Sequence, residues 1–183
     1  MSESILWRRL DAPGHDACRL DRIATGWRLE GMAVFRHERA AAQLVYRVSC
    51  DPGWRAQRGE VHGWLGADAV DLRVVRADTG AWTVNGEAVP DVGSCVDLDF
   101  GFTPATNLLQ LQRLALHVGQ AAQAPAAWLD VSTGRLELLP QRYERRAEAT
   151  YWYEAPSVGY AALLEVAPNG FVRRYPGLWE AEP

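Results

Sequence analysis

The chain contains no lysine, since all 19 of its basic residues are arginine. Schiff-base chemistry, attachment of pyridoxal phosphate and the phosphate clamp of P-loop proteins each need a lysine amine, so the sequence excludes these mechanisms. The arginines are scattered along the chain and the formal net charge is −4. This distribution argues against a nucleic-acid-binding protein, which needs a basic patch or stripe.

Long apolar runs are also missing. No stretch approaches the roughly 18 apolar residues that a membrane-spanning helix needs, and the mean hydropathy is −0.21, so we expect no transmembrane segment. Glu3, Arg8 and Arg9 occur where a secretory signal would be continuously apolar, which predicts a cytoplasmic location. The three cysteines are an odd number without close pairing, so we expect free, buried thiols and no disulfide framework.

Common catalytic motifs are absent as well. The sequence has no G-x-S-x-G, G-x-G-x-x-G, H-E-x-x-H or C-x-x-C motif, so hydrolase, dinucleotide-binding, zinc-protease and zinc-ribbon interpretations have no support. The four histidines lie far apart and lack the paired spacing of metal ligands. We therefore expect a protein without catalytic residues, cofactor or metal.

Alternation of apolar and polar residues, the period of a half-buried strand, runs through residues 44–50, 70–74 and 96–100. The last of these segments reads Val-Asp-Leu-Asp-Phe and places Asp97 and Asp99 on one face. We expect its apolar face to pack on the core and the two aspartates to face water. The alternative is that the two carboxylates form an acid–base pair of the kind that hydrolyses glycosides.

Two Asn-Gly dipeptides predict β-hairpins. Asn85-Gly86 separates two short strand-like segments, and Asn169-Gly170 separates residues 162–166 from residues 171–174. An Asn-Gly pair accepts the positive φ angles that a tight hairpin turn requires. Each dipeptide therefore predicts an antiparallel pair of strands.

One segment has the features of a helix. Thr103 can cap it, a proline follows at the first helical position and leucines recur at helical spacing, which predicts a helix over residues 104–112. From Leu114 the sequence alternates, so we expect the helix to end by about Arg113 and a strand to continue to Gly119. So short a helix is stable only when packed, which places a sheet around its leucines.

The overall pattern indicates a mainly β fold. Many short strands with frequent turns suit a strongly curved antiparallel sheet or a barrel-like roll. The Ala- and Gln-rich stretch of residues 119–127 is expected to be a loop. We see no boundary, so we expect one domain over residues 1–183.

Aromatic and arginine side chains cluster between residues 142 and 160. Tyrosine and arginine combine apolar surface with polar tips, and such residues suit sugars or amphiphiles. The alternative is that the aromatic side chains fill the core, with their polar tips hydrogen-bonded. The sequence alone leaves both uses open.

Asn107 and Arg113 flank the leucines of the predicted helix and are candidates for reaching a ligand beside it. For Asn107 the alternative is a local hydrogen bond to the backbone. A buried guanidinium needs a partner, so the alternative for Arg113 is an ion pair with Asp51, Asp97 or Asp99. The candidate ligand-binding residues are Tyr143, Tyr151, Tyr153, Arg142, Asn107 and Arg113.

Short motifs are spread over nearly the whole chain, each weak alone and specific in combination. They are Trp7-Arg8-Arg9-Leu10 through Gly14, Gly26-Trp27, Tyr46-Arg47-Val48 with Asp51 and Trp54, Asp97-Leu98-Asp99 into Thr103-Pro104-Ala105-Thr106-Asn107, Arg113-Leu114, Gln141-Arg142-Tyr143, and Tyr175-Pro176-Gly177-Leu178-Trp179.

In this order the motifs resemble the glycolipid-binding protein family with a spiral β-roll fold, formerly described as a domain of unknown function. The resemblance implies a highly curved, largely antiparallel sheet wrapped around a single α-helix, a homodimer, and similarity in structure to the bacterial lipoprotein carriers of the Lol pathway. It brings no catalytic residues, and its ligand rests on analogy between folds. The lack of a lipobox cysteine and of a signal peptide argues against periplasmic lipoprotein transport.

Three functions remain open at this point. The first is a non-enzymatic lipid- or glycolipid-binding protein that holds an amphiphile between sheet and helix. The second is a structural or protein-interaction dimer in which the helix fills the roll. The third is an enzyme that acts on sugars or lipids. A cavity of at least about 300 Å³ inside the roll would separate the first from the second.

Overall fold

The computed structural model describes residues 2–183, and in this range the chain forms seventeen β-strands and one α-helix. The first strands are β1 (Ser2–Arg9), β2 (Gly14–Ile23), β3 (Gly26–His37), β4 (Ala40–Cys50), β5 (Ala56–Leu65), β6 (Asp68–Arg76), β7 (Trp82–Val84), β8 (Glu87–Val89) and β9 (Asp97–Phe100). The helix α1 (Asn107–Leu114) is followed by β10 (Ala121–Gln123), β11 (Ala126–Asp130), β12 (Arg135–Leu139), β13 (Arg142–Ala147), β14 (Thr150–Ala155), β15 (Tyr160–Val166), β16 (Val172–Tyr175) and β17 (Trp179–Ala181).

Fourteen strands form one continuous antiparallel sheet in the order β10-β13-β14-β15-β16-β17-β1-β2-β3-β4-β5-β6-β7-β8. β17 pairs with β1, with Trp179 opposite Arg9, so the N-terminal and C-terminal strands join into one surface. The other three strands form a small sheet in the order β12-β11-β9, in which β9 runs parallel to β11. The fold is mainly β, as predicted.

The large sheet curls around the small sheet and the helix. A Cβ added to Gly59 of β5 would lie 2.4 Å from Leu98 of β9, and one added to Gly170 between β15 and β16 would lie 3.6 Å from Leu108 of α1. The N-terminal strands of the large sheet therefore contact the small sheet, and its C-terminal strands contact the helix. Leu108 and Leu109 are 0% and 1% exposed, which confirms that the sheet surrounds the leucines of the helix.

The predicted strands and hairpins are present. Leu44, Tyr46, Val48 and Cys50 of β4 are buried, while alternate residues of this strand face outward or are partly exposed. β7 and β8 form a hairpin around Asn85 and Gly86, whose φ angles are 50° and 89°. β15 and β16 pair antiparallel across the second Asn-Gly turn.

The helix differs from its prediction at both ends. It begins at Asn107, because Thr103 does not cap it: the Thr103 hydroxyl donates to Asp16 and accepts a hydrogen bond from the amide of Ala105 within a turn. It ends at Leu114, where Ala115 adopts a left-handed φ of 44° and its N–H bonds to Leu111. The left-handed residue ends the helix, and no strand forms over residues 115–119, so the predicted strand to Gly119 is wrong.

The prediction of a loop over residues 119–127 is also wrong. Ala121–Gln123 forms β10, the edge strand beside β13, and Ala126 begins β11. Alanine and glutamine have weak strand propensity, but pairing with a neighbouring strand outweighs intrinsic preference. In this segment the tertiary contacts determine the structure.

Candidate functional site

The two aspartates of β9 lie inside the roll, so the prediction that they face water is wrong. All four residues of Asp97–Phe100 are buried. The apolar face packs on the large sheet, as expected, while Asp97 contacts Arg113 of the helix and Asp99 contacts Gln141. Alternation correctly separated the two faces of the strand, but it carries no information on what covers the polar face.

Asp97 is balanced by a cation at the C-terminal end of the helix. Arg113 donates two hydrogen bonds to it, from Nε to Oδ1 at 2.7 Å and from Nη2 to Oδ2 at 2.6 Å. Burial raises the pKa of the Asp97 carboxyl, and the charge and hydrogen bonds of Arg113 oppose this rise. The ion pair considered for Arg113 is therefore present, and it fixes the end of the helix to β9.

A cavity of about 300 Å³ lies at the other end of the helix, between its first turn and the C-terminal run of the large sheet. Asn107 of the first turn and Pro104 of the segment before the helix form this side of the cavity. Val158, which is 53% exposed, lies at its mouth. The volume falls at the lower limit of the roughly 300–1,000 Å³ found for ligand sites.

Aromatic side chains form a large part of the cavity wall. Tyr153, Tyr160 and Tyr175 come from the neighbouring strands β14, β15 and β16, and their ring centroids lie 5.1–6.0 Å apart. Trp128 approaches from β11, and it fits because residue 101 is glycine: a Cβ at Gly101 would lie 2.4 Å from the indole Nε1. The cavity therefore has an extensive aromatic surface, which suits the apolar faces of a ligand.

Polar groups gather at the inner end of the cavity. Asp99 accepts hydrogen bonds from Gln141 Nε2 at 2.5 Å and from Thr106 Oγ1 at 3.4 Å. Asn107 donates from Nδ2 to the Tyr143 hydroxyl at 2.8 Å, and that hydroxyl donates to Gln141 Oε1 at 3.4 Å. This network joins the first turn of the helix to β9 and to the large sheet.

Asp99 lines the cavity without a cation beside it. Burial raises the pKa of its carboxyl to about 6, while the hydrogen bonds from Gln141 and Thr106 lower it and the charge of Asp97 raises it further. Among residues 2–183 none of these influences comes from a basic side chain. At neutral pH the inner end of the cavity therefore carries a negative charge held by neutral donors only.

A second buried carboxylate positions the edge of the cavity. Asp16 of β2 accepts hydrogen bonds from the Tyr46 hydroxyl at 3.0 Å and from the hydroxyl of Thr103, which lines the cavity. Burial raises the pKa of Asp16 to about 6. The Tyr46 ring lies over Gly31, where an added Cβ would come within 2.3 Å of the hydroxyl. The loop before the helix is thus tied to the sheet wall.

Comparison with known proteins identifies the family. The family model described as "Putative glycolipid-binding" matches residues 4–181. The chain belongs to this family. A crystal structure of a DUF1089 family protein from Pseudomonas aeruginosa shares the fold, with a TM-score of 0.80 at 28% identity over 90% of each chain.

A curated relative is the protein nucleotidyltransferase YdiU of Methylorubrum populi, at 30% identity over 148 residues. The alignment covers 80% of this chain but only 28% of that relative, so the chain spans little more than a quarter of its length.

In this member of the glycolipid-binding family, the structure brings three of the six predicted site residues together. Asn107 and Tyr153 line the cavity, and Tyr143 lies directly behind Asn107, fully buried. These three side chains face inward from α1, β14 and β13.

The other three predicted residues lie elsewhere. Arg113 is at the opposite end of the helix, and Tyr151 lies beneath the guanidinium of Arg145, 5.5 Å from the ring centroid. Arg142 projects from the other face of β13 and pairs with Glu144 and with a glutamate of β14. Arg142 and Tyr143 are adjacent in β13, so their side chains point to opposite faces of the sheet.

Sequence reasoning missed several cavity residues. For Asp99 the sequence suggests a solvated residue, a catalytic carboxylate or an ion-pair partner of Arg113, but not a residue that lines a cavity. Tyr160 belonged to the aromatic cluster, and Tyr175 and Trp179 belonged to the C-terminal motif, so a signal existed for all three. Trp128 had none, because its place depends on the parallel pairing of β11 with β9 and on the glycine that it covers.

The outer face of the large sheet carries an exposed apolar row. Leu6, Met32 and Val45, in the register Leu6–Ala17–Met32–Val45, are 46%, 45% and 40% exposed. The neighbouring row alternates in charge: it consists of Arg19, Glu30, Arg47 and Glu60. An open furrow of about 1300 Å³ runs along this face.

Three further observations concern the described residues as a whole. Within residues 2–183 no three His, Cys, Asp or Glu side chains come together as a metal site, and no helix there has the length and apolar character to cross a membrane. The three cysteines are free and buried, as the sequence predicts.

Proposed function

We propose that this protein is a non-enzymatic binding protein that holds a glycolipid or similar amphiphile between the curved sheet and the helix. The observation that carries the proposal is the cavity of about 300 Å³ beside the helix, lined by tyrosine and tryptophan with Asp99 and Asn107 at its inner end. Ligand sites combine this kind of apolar wall with a few placed polar groups. Membership of the glycolipid-binding family supports the same reading.

The arrangement of the aspartates gives no support to an enzyme of the glycosidase type. Such enzymes place two carboxyl groups on either side of a substrate. Here the carboxylate of Asp97 is fully buried and engaged by Arg113, while Asp99 alone of the pair lines the cavity. A negative charge at the inner end also disfavours a nucleotide phosphate. The cavity therefore gives no support to the nucleotidyltransferase activity in the longer relative's name.

Native mass spectrometry of the purified protein, with organic extraction of anything bound, tests the proposal. We expect a co-purified amphiphile at up to one molecule per chain. Val158→Trp, which narrows the mouth of the cavity, should lose it, whereas Val118→Trp should keep it. Both valines are exposed, at 53% and 59%, and only Val158 lines the cavity. If no amphiphile is retained and none binds when added, the proposal fails.

We also propose that the protein forms a homodimer through the outer face of the large sheet. The row Leu6–Met32–Val45 offers apolar area, and the alternating charges beside it are self-complementary when a second copy is turned by a two-fold rotation. Exposed apolar patches rimmed by polar residues mark interaction sites.

Light scattering coupled to size-exclusion chromatography measures this association. Met32→Glu should shift the protein toward the monomer, because it places charge in the centre of the proposed interface. Leu138→Glu is the matched control: Leu138 is similarly exposed, at 43%, but belongs to β12 of the small sheet. A monomeric wild type, or equal effects of both variants, would refute this interface.

The proposal also includes a cellular location and a domain organisation. The free, buried cysteines support a reducing compartment, so we place the protein in the cytoplasm. The family match over residues 4–181 supports one domain over 1–183.

A further inference from the structure

The inner end of the cavity presents hydrogen-bond acceptors to a ligand. The Asp99 carboxylate is acceptor-only when ionised, and it has capacity beyond its bonds from Gln141 and Thr106. The amide of Asn107 is oriented by Tyr143: the Tyr143 hydroxyl donates to Gln141, so it must accept from Asn107 Nδ2. This leaves Asn107 Oδ1, which accepts no hydrogen bond within residues 2–183, as a second acceptor.

Two neighbouring acceptors select a ligand that brings donors. Hydroxyl groups of a sugar donate to a carboxylate and to an amide oxygen, whereas a phosphate or carboxylate group brings mainly acceptors and negative charge. The charge of Asp99 is not balanced by a nearby arginine, so a second anion would be repelled at short range in a site of low dielectric. A quaternary ammonium group matches the charge but has no N–H to donate.

Exposure defines the direction in which the ligand enters. Asp99 and Asn107 are 7% and 4% exposed, whereas the apolar side chain of Val158 is 53% exposed at the mouth. The carboxylate and the amide therefore lie in the buried part of the cavity, and the exposed part carries an apolar side chain. An amphiphile matches this gradient with its headgroup inside and its chain leaving past Val158.

The wall and the volume agree with one sugar ring. The C–H faces of a pyranose are apolar and pack on aromatic rings, which Tyr153, Tyr175 and Trp128 supply. A cavity of about 300 Å³ has space for a ring but not for the chains of a whole lipid. We infer that the amphiphile binds headgroup first, that the headgroup is an uncharged sugar, and that Asp99 and Asn107 determine this specificity.

This inference rests on the proposed function, and a series of probes with the same chain separates the two. Isothermal titration calorimetry compares octyl glucoside, octyl phosphate, octyltrimethylammonium and octanol, all as monomers. We expect octyl glucoside to bind at least tenfold more tightly than the other three, and methyl glucoside to compete with it. If none binds, the proposed function fails together with the inference.

If the probes bind but octanol or octyl phosphate equals octyl glucoside, the inference is overturned while amphiphile binding stands. Tighter binding of octyltrimethylammonium overturns it too, because the cavity would then be a cation site. These measurements use the wild-type protein and do not depend on how any variant folds.

Asp99→Asn tests the role of the carboxylate. Loss of a hydrogen bond to a charged acceptor should weaken octyl glucoside binding about 10- to 100-fold. Asp91→Asn removes an exposed carboxylate outside the cavity and should leave the affinity unchanged. Circular dichroism verifies that both variants are folded. Unchanged affinity of the folded Asp99→Asn protein would remove Asp99 from the specificity site.

Discussion

The two ends of the inner helix rest on the same short strand but differ in how the buried carboxylate is balanced. At the C-terminal end, Asp97 is neutralised by two hydrogen bonds from Arg113. At the N-terminal end, Asp99 has an amide and a hydroxyl as partners and lies beside the cavity. The protein thus closes one end with its own guanidinium. The other end keeps a carboxylate with neutral partners and a cavity beside it.

Arg113→Met should have the largest effect, because it leaves the fully buried Asp97 without its cation. Breaking a buried ion pair by removing one partner costs about 3–5 kcal/mol of unfolding free energy. Arg113 remains partly solvated, with 21% of its side chain exposed, so we expect about 3 kcal/mol, measured by urea denaturation.

The double variant Asp97→Asn with Arg113→Met is the control for this measurement. It removes the unpaired charge of Asp97, so it should recover part of the lost unfolding free energy. A single variant as stable as the wild type would show that the ion pair does not hold the helix end in place.

Asp99→Asn should have the opposite effect on stability, and the effect should depend on pH. The folded-state pKa of Asp99 is raised from 3.8 to about 6, so the folded state favours the protonated form. The stability that this group contributes is present below pH 3.8 and is lost as the pH rises to about 6. The asparagine does not ionise, so the variant should gain up to about 3 kcal/mol over the wild type at pH 7.

Urea denaturation of both proteins at pH 4 and pH 7 measures the difference. Comparing the variant with the wild type at each pH cancels the other titrating groups, including Asp16, whose pKa is raised in the same way. The gap between the two proteins should be small at pH 4 and should widen toward pH 7. A gap that does not change with pH would contradict an ionised, poorly balanced Asp99.

Gly101→Ala tests whether the cavity depends on the position of the Trp128 side chain. The new Cβ would lie 2.4 Å from the indole Nε1, so the ring must leave its present position in the cavity wall. Crowding of this kind costs about 1–3 kcal/mol, and the disturbed wall should bind octyl glucoside more weakly. Gly93→Ala is the matched control, since its added Cβ would lie 3.6 Å from the carbonyl oxygen of Pro90, an ordinary contact distance. Equal behaviour of the two variants would refute the role of the glycine.

The strand that carries Asp97 and Asp99 also shows which parts of the structure the sequence predicts. The strands, both hairpins and the buried helix follow from periodicity and turn residues, which are local properties. The family resemblance adds the roll. Residues 97–100 show the limit: their alternation is that of a half-exposed strand, yet Arg113 and Gln141 cover the polar face. What covers a strand is decided by contacts distant in sequence.

The cavity lies beyond sequence reasoning for the same reason. Its walls come from β9, α1, β11 and the strands β14–β17, and no local pattern links Trp128 with Tyr175. The tyrosines could be proposed because they cluster in the sequence. The adjacency of Arg142 and Tyr143 was the available signal that only one of these two side chains would face inward.

Arg142→Ala should have the smallest effect, and it separates the two faces of that strand. Arg142 pairs on the outer face with Glu144 at 2.9 Å and Glu154 at 3.4 Å, and pairs that water reaches contribute little to stability. We expect no measurable change in octyl glucoside affinity and little change in the denaturation midpoint. Tyr153→Phe, on the inner face of the adjacent strand, is the matched comparison, because it removes a hydroxyl from the cavity wall. Loss of affinity in Arg142→Ala but not in Tyr153→Phe would move the binding site to the outside of the roll, where neither Asp99 nor Asn107 can reach a ligand.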